Sequence, residues 1–171
     1  MKKTNVIFLC RLALLCAAAL ALSALEELFT PILPPGAKAG LSNTIVMLSA
    51  QALGLPSTFV IVLFKSIFAL LTRGVVSAFL SLLGGFSSAF LLWALFRYTR
   101  RLGVLGISLS GALTHSLFQL LGSYLLYGAA IFAYAPVLLL LSLPSGVITA
   151  ALLRAAEFIF SRRAAQTKER K

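Results

Sequence analysis

Four polar side chains lie in or beside strongly apolar stretches of this sequence: Asn43, Lys65, His115 and Gln119. His115 and Gln119 are one helical turn apart, on one face of a helix. Lys65 adds a positive charge near the middle of a short apolar run. Because such groups are costly in lipid, they predict a pocket that binds a ligand with a polar or anionic group. The alternative is that His115 is an ordinary structural residue.

The segment PPGAKAGLSN, residues 34–43, is the most irregular part of the chain and carries a single charge, Lys38. Gly36 and Gly40 permit tight turns around this lysine, and Pro35 restricts the backbone beside it. Free amide groups at the start of the following helix, with Lys38 close by, would favour an anion, so Lys38 is also a candidate ligand-binding residue. We therefore expect a gate over the pocket, with a solvated loop as the alternative.

Several chemistries have no residues to carry them. The sequence has no Asp and only four Glu, so paired aspartates that hold magnesium on a diphosphate are absent. It contains no GxxxxGK[ST] motif for ATP, and one His with two Cys offers no metal-ligand spacing. We expect no catalytic activity, no metal and no cofactor.

The composition is that of an integral membrane protein, because 60% of the 171 residues are hydrophobic and only 11% are charged. The fold class is all-α, a bundle of about six transmembrane helices. The predicted helices are Val6–Leu28, Leu41–Leu53, Ser57–Leu71, Val75–Phe96, Leu102–Tyr127 and Ile131–Phe160, the last interrupted by Pro136 and Pro144.

Two features of this organisation leave alternatives open. Residues 41–72 form either two full spans or a hairpin that enters and leaves on one side, since both runs are short for a bilayer. The first span resembles a cleavable signal, although we favour an uncleaved helix. Residues 1–161 are expected to be one domain and residues 162–171 a basic cytoplasmic tail.

Basic residues cluster near the start, around Arg97–Arg101 and in the tail, which predicts that both termini are cytoplasmic in a multi-pass cell-membrane protein. Their interleaving with apolar spans favours lipid headgroups over nucleic acid as partners. Small residues also recur at helical spacing, in the stripes Ala13, Ala17, Ala21 and Ser77, Ser81, Gly85, Ala89. Such stripes pack helices in lipid, and the alanine stripe is a candidate docking surface for a membrane partner.

The motifs PGAKAGLSN, LLGGFSSAFLLWALFR and THSLFQLLG, followed by a proline-broken last span, resemble the Gx transporter family, whose members are labelled heptaprenyl diphosphate synthase component I. That family is similar to the substrate-binding S components of energy-coupling factor transporters. The resemblance implies an S-component-like bundle of about six helices. It also implies that the alanine stripe meets a coupling subunit. Lys65 stands where the family usually has arginine, and Ser116 replaces an asparagine.

The resemblance leads to two functional expectations. The first is a substrate-binding transport subunit for a small solute or an isoprenoid- or quinone-related precursor, energised by a coupling membrane subunit and ATPases. The second is a non-catalytic membrane accessory subunit of polyprenyl diphosphate synthesis. A structural scaffold without a ligand is a third possibility.

Overall fold

The computed structural model describes residues 3–29, 40–99 and 101–169, with side chains over 5–28, 40–99 and 101–159. All regular structure in these ranges is helical, which confirms the predicted all-α class. The α-helices are α1 (Lys3–Phe29), α2 (Leu41–Ala52), α3 (Leu55–Tyr98), α4 (Val104–Tyr127) and α5 (Ala135–Glu169), and a 3-10 segment (Ala129–Tyr134) precedes α5. Four stretches are long and apolar enough to cross a membrane: Asn5–Leu28, Leu55–Tyr98, Val104–Tyr127 and Ala129–Ile159.

The described helices number five rather than the expected six or so, because two predicted spans are joined in α3. This element is broken at Gly74, whose φ of 85° and ψ of 179° are not helical. The rings of Phe59 and Phe86 have centroids 4.7 Å apart, whereas a straight helix would separate them by about 40 Å. The chain therefore turns back at Gly74, and residues 55–73 and 75–98 form two antiparallel arms.

Helix α2 has 12 residues and is about 18 Å long, too short to cross a hydrocarbon core of about 30 Å. It begins inside the bundle, because the carbonyl of the buried Gly40 accepts a hydrogen bond of 3.0 Å from Thr149 Oγ1 of α5. It ends beside the first arm, where Thr58 Oγ1 lies 3.2 Å from Ser49 Oγ. The first of the two short predicted spans, Leu41–Leu53, is thus a helix that does not cross the hydrocarbon core of the membrane by itself.

Helix α5 includes Pro144 and continues to Glu169, so of the kink or break predicted there the break is absent. Two residues further on, α4 contacts this part of the helix, since Ser108 Oγ donates to the carbonyl of Gly146 at 2.7 Å. The irregular backbone instead precedes α5, in the 3-10 segment. The helix also continues past residue 162, where the basic tail was expected to begin.

The bundle core combines apolar side chains from α1, α2, both arms of α3, α4 and α5, with Met47, Ile61 and Leu153 fully buried. Serine and small residues let the helices approach closely. A Cβ at Gly85 would lie 2.5 Å from Val62 Cγ1, so the two arms of α3 touch at this glycine. The stripe Ser77, Ser81, Gly85, Ala89 is thus engaged in packing within the chain, since its last three members are buried.

Candidate functional site

A polar cavity lies among α1, α2, α3 and α4. Its volume is about 20 Å³, enough for about one water molecule. Lys65 is near the middle of the first arm of α3 and His115 near the middle of α4, whereas Glu26 lies close to the end of α1 and Arg73 at the end of the first arm. The cavity thus extends from mid-depth toward the end of the bundle that contains Gly74. Its lining residues are Ser23, Glu26, Ser42, Asn43, Val62, Lys65, Arg73, Ser81, Gly85 and His115.

Lys65 projects into the cavity from the first arm of α3 and donates a hydrogen bond of 2.9 Å to Asn43 Oδ1 in the first turn of α2. Among the described residues, the only ion pair closer than 4 Å is that of Arg73 with Glu27. The close partner of Lys65 is therefore an amide and not a carboxylate. Glu26 still acts on this ammonium at longer range. An amide oxygen neutralises no charge, which leaves Lys65 able to attract an anion.

Two consecutive glutamates at the end of α1 join this helix to its neighbours. The buried Glu26 accepts a hydrogen bond of 2.6 Å from Ser42 Oγ of α2. Glu27 Oε1 lies 3.3 Å from Arg73 Nε and accepts a hydrogen bond of 2.8 Å from Thr72 Oγ1, next to the turn at Gly74. The end of α1 is therefore tied to both α2 and α3 at the cavity.

His115 lines the cavity from α4 and is 7% exposed. The second arm of α3 passes close to it at Gly84, where an added Cβ would lie 2.8 Å from the His115 carbonyl oxygen and 3.1 Å from Cε1. The glycine thus sets how far the imidazole extends into the bundle. The structure brings Asn43, Lys65 and His115 together at one cavity, as expected from the sequence. Their role in binding a ligand stays a prediction.

Gln119 does not share this cavity, contrary to the pocket expected from its spacing to His115. It lines a separate hollow of about 190 Å³ between the second arm of α3, α4, the 3-10 segment and α5. The physical reason is the position of the second arm: Ser81 faces the cavity whereas Leu80 faces the hollow. His115 and Gln119 are one helical turn apart on α4, and this distance is enough to pass from the cavity to the hollow.

The predicted gate falls largely outside the described residues, since Pro35, Gly36 and Lys38 belong to 30–39. Gly40 is described and has a φ of 84°. A Cβ there would collide with Ser145 Oγ, so only glycine fits this contact with α5. The helices on both sides of 30–39, α1 and α2, supply lining residues to the cavity.

The alanine stripe lies on the outer surface of the bundle, because Ala13, Ala17 and Ala21 are all exposed. The opposite face of α1 packs inward through Ala19, Ser23 and Glu26. This placement leaves the stripe accessible to a membrane partner, and docking there stays a prediction.

Sequence reasoning missed Glu26, Ser42 and Arg73 as lining residues. Glu26 and Arg73 stand at the predicted ends of apolar runs, where charges are usually explained by the membrane interface. The sequence did contain a signal for the inward face of α1. Small and polar residues recur there at intervals of four and three residues, at Ala19, Ser23 and Glu26, and so mark one face of the helix.

These features define a class: an α-helical membrane bundle with a charged and polar cavity among its helices. The chain matches the family described as heptaprenyl diphosphate synthase component I over residues 15–156. Because the match covers most of the chain, this protein belongs to that family, as its motifs predicted. Comparisons with curated proteins and with solved structures found no match.

Proposed function

We propose that this chain is a non-catalytic membrane subunit that binds the anionic or polar part of a small solute or an isoprenoid- or quinone-related precursor, and passes it across the membrane with energy from partner subunits. The observation that carries the proposal is the convergence of Lys65, Asn43 and His115 on one cavity. A cation inside a membrane bundle is expensive unless it serves a ligand or a partner. Here its close partner is a neutral amide.

The size of the cavity implies that binding requires movement. A space of about 20 Å³ is too small for any solute larger than water. Polar contacts join the end of α1 to its neighbours at the cavity: Glu26 with Ser42, and Glu27 with Arg73 and Thr72. Partly exposed ion pairs contribute about 0–1 kcal/mol, so the pair of Glu27 with Arg73 adds little to the cost of moving the end of α1 away from α3.

The orientation of the cavity supports uptake from the outside. The exposed Arg97 lies at the opposite end of the second arm from Gly74, and Arg101 follows it. Positive residues favour the cytoplasmic side, so the cavity would face the outer side of the cell membrane and both termini the cytoplasm. Energy from ATP would come from other chains, because the sequence has no nucleotide-binding loop.

The family description favours a second function, a membrane accessory subunit of heptaprenyl diphosphate synthesis. In that case the same cavity would bind the polar group of an isoprenoid and present it to a partner enzyme. The absence of aspartate argues against catalysis by this chain itself. Adding the membrane protein to a soluble prenyl synthase would test this function, with an unchanged rate, product length and membrane recruitment as the contrary result.

Native mass spectrometry of protein purified gently from its own membrane tests the ligand-binding proposal. The wild-type chain should retain an anionic small molecule, and Lys65→Met should retain about tenfold less, a loss of about 1.4 kcal/mol. Arg97→Met is the matched control, because it removes an exposed cation at the other end of the bundle. Equal retention of the small molecule by the two variants would place the ligand elsewhere. Copurification of an ATPase would favour transport over the accessory role.

A further inference from the structure

The hollow that contains Gln119 is distinct from the polar cavity. The two sets of lining residues have no member in common. The hollow is also far larger, about 190 Å³ against about 20 Å³. An engineered apolar cavity of about 150 Å³ is sufficient to bind benzene, so this one has room for the polar end and the first carbons of a longer molecule.

The hollow is formed by the arrangement of the helices around it. At Gly122, α4 lies so close to the second arm of α3 that an added Cβ would be 2.9 Å from Leu80 Cδ2. On the other side, the chain leaves α4 at Gly128 with a φ of 73° and forms the 3-10 segment. The rings of Tyr124 and Phe132 have centroids 5.2 Å apart and hold this segment against α4. The space therefore lies where an irregular segment replaces a close-packed helix.

The chemistry of the lining selects for a neutral amphiphile. Leu80, Leu120, Ile131 and Leu138 form apolar walls, and no lining residue is charged. Gln119 is 8% exposed, and two further polar residues, Ser123 and Tyr134, line the same hollow. A largely buried amide is costly in lipid unless its polar atoms are hydrogen-bonded, so an occupant with a hydroxyl or carbonyl would be stabilised there. A carboxylate would be buried without a cation.

We propose that this hollow binds an uncharged single-chain amphiphile drawn from the bilayer, with its hydrocarbon against the leucines and a neutral oxygen hydrogen-bonded to Gln119. The site does not depend on the ligand of the polar cavity. It gives the protein a second, lipid-derived ligand beside the one proposed above.

Photolabelling of the full chain in lipid nanodiscs with a diazirine derivative of hexadecanol tests this site. Labelling should be saturable, should map to peptides that line the hollow, and should be competed by hexadecanol but about tenfold less by ionised hexadecanoate. Filling the space with Leu138→Trp should abolish it. Leu125→Trp is the matched control, because Leu125 is 67% exposed on the outer surface of α4.

A second variant keeps the test decisive if Leu138→Trp fails to fold. Gln119→Leu conserves size and should remove the preference for the alcohol over an alkane probe of equal length. Labelling that is spread evenly over exposed helices, or that is unaffected by both variants, would mean ordinary lipid contact only and would overturn the proposal. Absence of labelling would equally overturn it, since the hollow would then hold water.

Discussion

The ammonium of Lys65 lies 2.9 Å from the side-chain oxygen of Asn43, and this bond connects the first arm of α3 to the first turn of α2. It brings together two residues 22 positions apart in the sequence. Because α2 begins inside the bundle, its first turn can meet the middle of the first arm of α3 rather than an end. The short length of α2 is thus what places the polar cavity at depth.

The first prediction concerns the charge of Lys65. Asn43→Asp would place a carboxylate beside the ammonium and neutralise it with an internal ion pair. Retention of an anionic ligand, measured by native mass spectrometry, should fall by about tenfold while the protein still elutes as a folded species. Asn5→Asp makes the same chemical change at an exposed position of α1 and should have no effect. Equal retention by both variants would contradict a ligand-binding role for Lys65.

The second prediction concerns the reversal of α3. With Cys10 and Cys16 replaced by Ser, cysteines at Phe59 and Phe86 should be joined by a short bismaleimide, because these rings are in contact. The control pair, Phe59 with Leu71, should not be joined, since the two positions are about 18 Å apart along the first arm. In a straight α3 neither pair would be joined, because the first pair would be about 40 Å apart. Gel mobility after labelling would distinguish the two.

The sequence was sufficient to predict the class of fold and most helix boundaries. The break at Thr72-Arg73-Gly74 was predicted because charge and glycine interrupt an apolar run, and the structure turns there. At Pro144 the sequence shows the lost donor but not that the helix continues past it, as α5 does. The hydrogen bond from Ser108 Oγ to the carbonyl of Gly146 is a tertiary contact between α4 and α5 and has no local signal.

The site was predicted only in part, for a related reason. Apolar surroundings marked Asn43, Lys65 and His115 as buried polar groups, which is local information. Whether Gln119 shares their cavity depends on how α4 packs against Ser81 and Leu80. Helical periodicity within one helix carries no information about that packing. Glu26 and Arg73 were missed because only the folded chain brings their helix ends to the cavity.

The third prediction tests the close approach of α3 and α4. Gly84→Ala should lower the free energy of unfolding by about 1–3 kcal/mol, because its Cβ would press on the backbone and ring of His115. Gly106→Ala is the control within a helix, where the nearest atom, Leu102 Cδ2, is 3.5 Å away. That change should be neutral or stabilise by up to about 1 kcal/mol. Thermal unfolding in detergent measures both, and similar melting temperatures would contradict the packing.

The fourth prediction isolates the backbone of the turn in α3. Gly74 has no atom within 4 Å of an added Cβ, so any cost of Gly74→Ala comes from its φ of 85° and not from contact. A residue with a side chain in this region of φ and ψ costs about 1–3 kcal/mol, and unfolding should become easier by that amount. Gly103→Ala is matched, since it also has open space but a φ of −69°. If the two variants melt at the same temperature, the turn relaxes freely and Gly74 does not fix the antiparallel arms that carry Lys65 and Ser81.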